Sequence, residues 1–269
     1  MRTVLIILIL LLIMACTSAQ RYEKIVIRGS DTMYQLMEIL SAVYMKNNPS
    51  VSIYVTGGGT EFGFHAIENG LADICMASRN LYSDELKIIA DKYQSLGVSY
   101  LIAKDALSIY VNMGNKIDDI SVAQLKGIYL CNIKEWNLIG DDNLTIVPFR
   151  RLSTSGTYHY FKSHILDGEE FCDSIATEGT QVDIINQVEI NPAAIGFGSV
   201  GGHGNTKLLK VEGFEPSQDN IKKDKYPLTR YLQLFTISEP QGIIKNFIDW
   251  IMSKEGQKIV RDFGYVSLY

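Results

Sequence analysis

The stretch best suited to chemistry is residues 150–157, which read RRLSTSGT. Two arginines are followed by three hydroxylated residues, a glycine and a threonine, and an amphipathic aromatic run comes next. A strand-to-helix junction of this kind offers guanidinium groups, hydroxyl donors and the unpaired backbone N–H groups of a helix start. Because glycine lets the backbone approach a bound group closely, the combination favours binding of an oxyanion.

Two further junctions of the same kind come earlier in the chain. GSDT at residues 29–32 follows a short β-branched strand, and GGGT at residues 57–60 follows a strand at 51–55. Strands that alternate with helices predict α/β layers with largely parallel sheets. One Ser/Thr-rich junction is ordinary helix capping, whereas three in one chain suggest a shared anion.

Composition limits the class of partner. The chain has 269 residues, 46% of them hydrophobic, and a formal net charge of −5. The lack of a basic tract argues against nucleic acid as a partner. An acidic protein can still bind an anion, because local helix dipoles and hydroxyl donors dominate at contact distance.

The N-terminus, MRTVLIILILLLIMAC, has the pattern of an export signal: an arginine, an apolar run and then small residues. The run from Val4 to Ala15 is too short to span about 30 Å of hydrocarbon. Because IMAC resembles a bacterial lipobox, we expect residues 1–15 to be a signal peptide and Cys16 to be lipidated. Cleavage after Ala19 is the alternative, and either leaves the mature chain outside the cytoplasm.

The remaining cysteines are Cys75, Cys131 and Cys172. They show no CxxC motif and no Cys/His spacing typical of zinc, so neither a metal nor another cofactor is expected. At most one disulfide can form among three cysteines. The simpler interpretation is that all three are small buried apolar residues.

Two other motifs suggest enzymes. GFGSVG at residues 196–201 fits GxGxxG, but no helix pattern follows it, so we expect a turn rather than a dinucleotide site. Ser155 and His159 are four residues apart, which leaves a serine hydrolase open. If Ser155 begins the helix, however, its side chain faces the anion and His159 becomes a packing or surface residue.

Taken together, GSDTM, GGGTEFG, ADICMASR and RRLSTSGT resemble the phosphate-binding proteins of bacterial phosphate ABC transporters, in a shorter branch of that family. KGIYLCNIKEWN, NPAAIGFGSV and YPLTRYLQLFT extend the resemblance over essentially the whole mature chain. It implies a type II periplasmic-binding-protein-like fold, with two α/β lobes that close on a ligand cleft by hinge motion. Lobe 1 is then expected at 16–104 plus 231–269 and lobe 2 at 105–230.

The resemblance also implies which residues contact phosphate. Arg151 would present two N–H groups to two oxygens, and the backbone of Gly156 would be unobstructed. The implied set is Thr32, the backbone N–H of Met33, Thr60, Ser78, Arg79, Arg151, Ser155, Gly156 and Thr157.

Two departures from the family pattern concern carboxylates. Ser78 and Arg79 stand at the end of the strand in ADICMAS, where the larger family has an aspartate that accepts the proton of phosphate. Ser153 stands where an aspartate often orients the arginine. We expect Arg79 either to add charge to the site or to pair with a carboxylate across the cleft, and Asp31 and Glu61 are candidates for the missing acceptor.

The predicted function is capture of inorganic phosphate by a monomeric lipoprotein, anchored to a bacterial membrane in the periplasm or at the cell surface. It would deliver phosphate to the permease subunits of an ABC transporter and catalyse no reaction. The alternatives are a receptor for sulfate or molybdate, a secreted hydrolase that uses Ser155, and a surface adhesion or signalling protein that has retained the fold.

Overall fold

The computed structural model describes residues 23–140 and 142–268, so the predicted signal peptide and Cys16 lie outside it. In this part of the chain no helix is long and apolar enough to cross a membrane. The elements, apart from a 3-10 turn at Trp136–Ile139, are β1 Glu23–Gly29, α1 Asp31–Asn47, β2 Val51–Thr56, α2 Thr60–Glu68, β3 Ile74–Ala77, α3 Ser83–Tyr93, β4 Val98–Val111, β5 Asp119–Ile120, α4 Val122–Tyr129, β6 Val147–Arg151, α5 Gly156–His164, β7 Ala176–Glu178, α6 Gln181–Ile190, β8 Ala194–Ser199, β9 Lys207–Leu208, β10 Lys210–Val211, α7 Gln218–Lys222, β11 Thr229–Thr236, α8 Gly242–Met252 and α9 Lys254–Asp262.

Among the residues described, nine strands form one sheet in the order β2-β1-β3-β11-β4-β8-β6-β7, with β9 paired to β4. β1 is parallel to β2 and β3, and β6 is parallel to β7 and β8. The centre is antiparallel, because β11 runs against both β3 and β4, and β4 runs against β8. The expectation of largely parallel sheets is therefore correct for the two ends and wrong for the centre, where two long strands run in opposite directions between the halves.

Of the four hydrophobic clusters among the described residues, the two largest are the cores that lie along this sheet, and the central strands belong to both. On β4, Ile102 and Ala103 pack in one core, whereas Ala106 and Leu107 pack in the other. On β11, Leu232 belongs to the first core. The change from the first core to the second between Ala103 and Ala106 of β4 supports the predicted lobes at 16–104 plus 231–269 and 105–230. The lobe boundaries stay a prediction.

The predicted elements around the three junctions are confirmed as α1, α2 and α5 with their preceding strands. GFGSVG lies at the end of β8 and in the turn after it, as expected. The C-terminal amphipathic segment forms two helices, because Ser253 accepts a hydrogen bond from the Gly256 N–H and begins α9. Phe247 of α8 and Val260 of α9 pack into the first core.

The cysteines differ from the simpler interpretation. Cys131 and Cys172 form a disulfide, whereas Cys75 is a free, buried thiol as expected. Burial raises the pKa of Cys75 to about 12, which keeps the thiol protonated. The pairing was not predictable from the sequence, because 41 residues separate the two cysteines and only the fold places them side by side.

We expect replacement of both Cys131 and Cys172 by serine to lower the free energy of unfolding by about 2–5 kcal/mol. The bond stabilises the protein by restricting the unfolded chain between residues 131 and 172. In the folded protein it packs against the second core, away from the three junctions, so anion affinity should not change. Thermal melts with and without a reductant measure the effect. The double variant is the control, because reductant should leave its melting temperature unchanged.

Candidate functional site

The three hydroxyl-rich junctions meet at one point between the two cores. The Oγ1 atoms of Thr32 at the start of α1 and Thr157 at the start of α5 are 2.9 Å apart. The N–H of Glu61 in α2 donates to the carbonyl oxygen of Thr154, which precedes α5, at 3.3 Å. Three helix N-termini, each with a partial positive charge, therefore point towards a small shared region.

Gly156 faces the hydroxyls of the opposite lobe. A Cβ atom at this position would lie 2.5 Å from Thr60 Oγ1, 2.7 Å from Ser78 Oγ and 3.3 Å from Arg79 Cγ. Thr60 Oγ1 also accepts the N–H of Ser78 at 3.2 Å. The lack of a side chain at Gly156 is therefore what allows the two lobes to approach here.

A second glycine permits the approach of α2. Gly59 has a φ of +98°, which side-chain-bearing residues rarely adopt, and a Cβ atom there would lie 2.4 Å from the carbonyl oxygen of Thr154. The glycine therefore brings the N-terminus of α2 against the segment that leads into α5.

The two neighbouring arginines of β6 diverge, because successive side chains of a strand point to opposite faces. Arg150 lies against the rings of Tyr158 and Phe171 in the second core. Arg151 is buried at the meeting point, with only 2% of its surface exposed. Only one of the two guanidinium groups in the opening motif is thus available to an anion.

Arg151 is held from both lobes. Its Nη2 atom donates to Asp31 Oδ2 at 2.6 Å and to the carbonyl oxygen of Gly179 at 2.9 Å. Burial lowers the pKa of Arg151, and the negative charge of Asp31 opposes that effect. Asp31 therefore supplies, from α1, the carboxylate that the exposed Ser153 does not. Glu61 was the other candidate for the missing acceptor, and its Oε1 atom lies 3.9 Å from Nε2 of His65.

Arg79 pairs with a carboxylate, but on its own side of the cleft. Its two terminal nitrogens donate to both oxygens of Glu85 in α3 at 2.7 and 2.8 Å, and its guanidinium lies 3.9 Å from the ring centre of Tyr82. The expectation of a partner across the cleft is wrong, because Glu85 is only six residues away in the same lobe. Although burial lowers the pKa of Arg79, its bonds to Glu85 raise it above the usual value.

Arg230 was not predicted as a site residue. It lies on β11 and donates from Nη1 to Thr157 Oγ1 at 3.0 Å, while Nε donates to Asp105 on β4 at 2.9 Å. Since Arg230 can only donate, Thr157 must accept from it, and Thr157 can still donate its own proton to the Thr32 hydroxyl or to another oxygen. The sequence feature that could have indicated this role is the presence of a charged residue, Arg230, among the mostly buried residues of β11.

The remaining predicted residues lie at the same place. Ser155 is the N-cap of α5, and its hydroxyl accepts the Thr157 N–H at 3.2 Å. Met33 is fully buried, and its N–H donates to the carbonyl oxygen of Ser30 at 3.1 Å. The structure thus brings together the predicted residues within 23–268, and their individual contacts with phosphate stay a prediction.

The hydrolase alternative gains no support from the geometry. The ring of His159 packs edge-on against Tyr82 and Tyr158. Across the described ranges, no hydrogen bond joins the side chains of Ser155 and His159, and no His/Cys/Asp/Glu group could hold a metal. Burial lowers the pKa of His159, and the charge of Arg79 lowers it further.

A family model described as a PBP superfamily domain matches residues 15–255. The chain belongs to the PBP superfamily. Its α/β architecture is therefore that of the periplasmic-binding-protein-like fold.

Individual relatives in the superfamily share most of their length with this chain. Phosphate-binding protein PstS of Bacillus subtilis is 29% identical over 258 residues, which cover 93% of this chain and 84% of the relative. PstS of Pseudomonas aeruginosa is 28% identical, with coverage of 89% and 81%.

Two solved structures are similar as well. A substrate-binding protein assigned to a phosphate ABC transporter, from Clostridium perfringens and with bound phosphate, superposes with a TM-score of 0.84 at 26% identity. The match covers 92% of this chain and 100% of that one. An ABC-type phosphate transport receptor from Vibrio cholerae gives a TM-score of 0.73 at 27% identity, with coverage of 90% and 99%.

Proposed function

We propose that this protein is an extracytoplasmic receptor that binds inorganic phosphate between its lobes and delivers it to the permease of an ABC transporter. The observation that carries the proposal is the convergence of hydroxyls from both lobes: Thr32 meets Thr157, and Thr60 and Ser78 meet Gly156. The buried Arg151 adjoins this cluster through Asp31, the residue before Thr32. The similarity to phosphate-binding and phosphate-transport proteins supports the same ligand.

Unpartnered donors support an anionic ligand. Within the described residues, the buried donors without a hydrogen-bond partner include Nε of Arg79 and of Arg151 at the meeting point, besides Nε of Arg28 and of Arg150 elsewhere. A buried donor without an acceptor costs about 1–3 kcal/mol, and more for a charged group. An oxyanion between the lobes would supply acceptors to such donors, to the hydroxyls and to the helix N-termini together.

The carboxylate of Asp31 favours phosphate over sulfate. One of its oxygens accepts from Arg151 and the other accepts the Gly58 N–H at 2.8 Å. Each carboxylate oxygen can accept two hydrogen bonds, so Asp31 can still accept a hydrogen bond from the protonated oxygen that phosphate carries near neutral pH. Sulfate has no such proton, and its negative oxygen would face the carboxylate instead.

Calorimetric titration of the mature protein in phosphate-free buffer tests the proposal. We expect one phosphate per chain, with sulfate and molybdate binding more weakly. Tight binding of sulfate or molybdate without phosphate would favour the other tetrahedral oxyanions.

The absence of catalysis is tested separately, by incubation with phosphate monoesters and carboxyl esters. Turnover that Ser155→Ala abolishes would replace the receptor with the hydrolase.

We also propose that a lipid on Cys16 anchors the receptor near its permease, and that the receptor is a monomer. The export pattern and IMAC support the anchor. Mass spectrometry of the native mature protein should find a lipid-modified Cys16 as the first residue. An unmodified first residue at Gln20 would indicate ordinary secretion.

A further inference from the structure

A cavity of about 350 Å³ opens between the lobes next to the proposed phosphate site. Aromatic rings and histidines line much of it, including Tyr82, His159 and Tyr160. Its volume is large enough for a small organic group. A phosphate monoester could therefore place its phosphate among the hydroxyls and its substituent here, provided that the two spaces were joined.

Arg79 lies between the two spaces. On one side, its Cγ atom is 3.3 Å from the Cβ position of Gly156, next to the hydroxyls of Thr60 and Ser78. On the other side, the same residue lines the cavity. Arg79 thus adjoins both the hydroxyl cluster and the cavity, and it is the residue that we take as the wall between them.

The contacts of Arg79 prevent this wall from moving easily. Both terminal nitrogens bond to Glu85, the guanidinium stacks on Tyr82, and the backbone oxygen accepts from Gln233 Nε2 at 2.7 Å. Only 8% of the residue is exposed. Displacement of the side chain would leave the buried carboxylate of Glu85 without its partner, which is unfavourable.

We propose that Arg79 determines specificity by closing the site to phosphate monoesters. Inorganic phosphate has four unsubstituted oxygens and fits within a closed cluster of donors. A monoester needs an exit for its organic group, and the Arg79 side chain occupies the path to the neighbouring cavity. This inference rests on the proposed function.

A matched pair of double variants tests it. Arg79→Ala/Glu85→Gln removes the wall, whereas Arg79→Met/Glu85→Gln keeps an unbranched side chain of similar reach. Both lack the ion pair, and the glutamine oxygen can still accept the Tyr82 N–H that Glu85 accepts at 2.7 Å. Thermal melts establish that both variants fold. Each protein is then titrated with inorganic phosphate and with glycerol 3-phosphate.

We expect the wild-type protein to prefer inorganic phosphate strongly. Both variants lack the Nε donor of Arg79, so both should bind inorganic phosphate more weakly than the wild type, but the methionine variant should keep the preference for inorganic phosphate over glycerol 3-phosphate. In the alanine variant the preference should fall by about tenfold or more, which corresponds to about 1.4 kcal/mol. An alanine variant that rejects glycerol 3-phosphate as strongly as the methionine variant overturns the inference. A wild type that binds both ligands equally overturns it but leaves the proposed function intact, whereas a wild type that binds no phosphate overturns both.

Discussion

Replacement of Arg151 by alanine should weaken phosphate binding by about 2–5 kcal/mol, the usual effect of removing one partner from a buried, hydrogen-bonded charge pair. In the closed site phosphate has lost its hydration. Backbone N–H groups and hydroxyls can replace the lost hydrogen bonds, but they carry no formal charge, whereas Arg151 does. The loss would also leave Asp31, now without its 2.6 Å partner, close to the anion. Calorimetry on the folded variant measures the change.

Arg150→Ala is the matched control, because it removes the same group from the adjacent residue, which packs on Tyr158 and Phe171 instead. Its phosphate affinity should stay near that of the wild type. Arg151→Lys should restore only part of the affinity, since an ammonium cannot reproduce the planar two-donor geometry. Equal affinities of Arg151→Ala and Arg150→Ala would place the phosphate elsewhere.

The Gly156→Ala variant should lose about 1–3 kcal/mol of phosphate affinity, which is the usual effect of an extra methyl group in a packed contact. The new methyl would meet Thr60 Oγ1 and Ser78 Oγ, so the lobes could not approach fully. The unliganded protein should be at least as stable as the wild type, since Gly156 begins α5 and alanine favours a helix. Calorimetry and thermal melts without ligand separate the two effects.

Gly114→Ala is a suitable control for this variant. Gly114 lies in a turn of the second lobe, and the nearest atom to an added Cβ is the flexible Asn112 Oδ1 at 3.3 Å. This change should leave phosphate affinity unaltered. An unaltered affinity in Gly156→Ala as well would mean that Thr60 and Ser78 do not close on this glycine when phosphate is bound.

The parts of the site that could be predicted from the sequence are those encoded locally. A strand, a run of Ser, Thr and Gly, and an amphipathic helix identify each junction without any tertiary information. Their meeting at Thr32 and Thr157 could be expected only because three similar junctions occur in one chain. The alternation along β6 also separates Arg151 from Arg150, although the sequence does not say which of the two faces the site.

The unpredicted parts depend on contacts between distant segments. Asp31 was a candidate acceptor, but its pairing with Arg151, 120 residues away, was not predicted. The contact of Arg230 with Thr157, 73 residues away, was not predicted either. No local pattern relates such residues, because their proximity arises from the order of strands in the sheet. Glu85 is different, since it is six residues from Arg79 in the first turn of the next helix and could have been considered as its partner.

The most direct test of the account is a crystal structure of the mature protein grown with phosphate. We expect one tetrahedral anion between the lobes, bonded to Arg151 and to hydroxyls of both Thr32 and Thr157, with Arg79 still paired to Glu85. A phosphate that contacts one lobe only, or that lies away from Arg151, would contradict the proposed site.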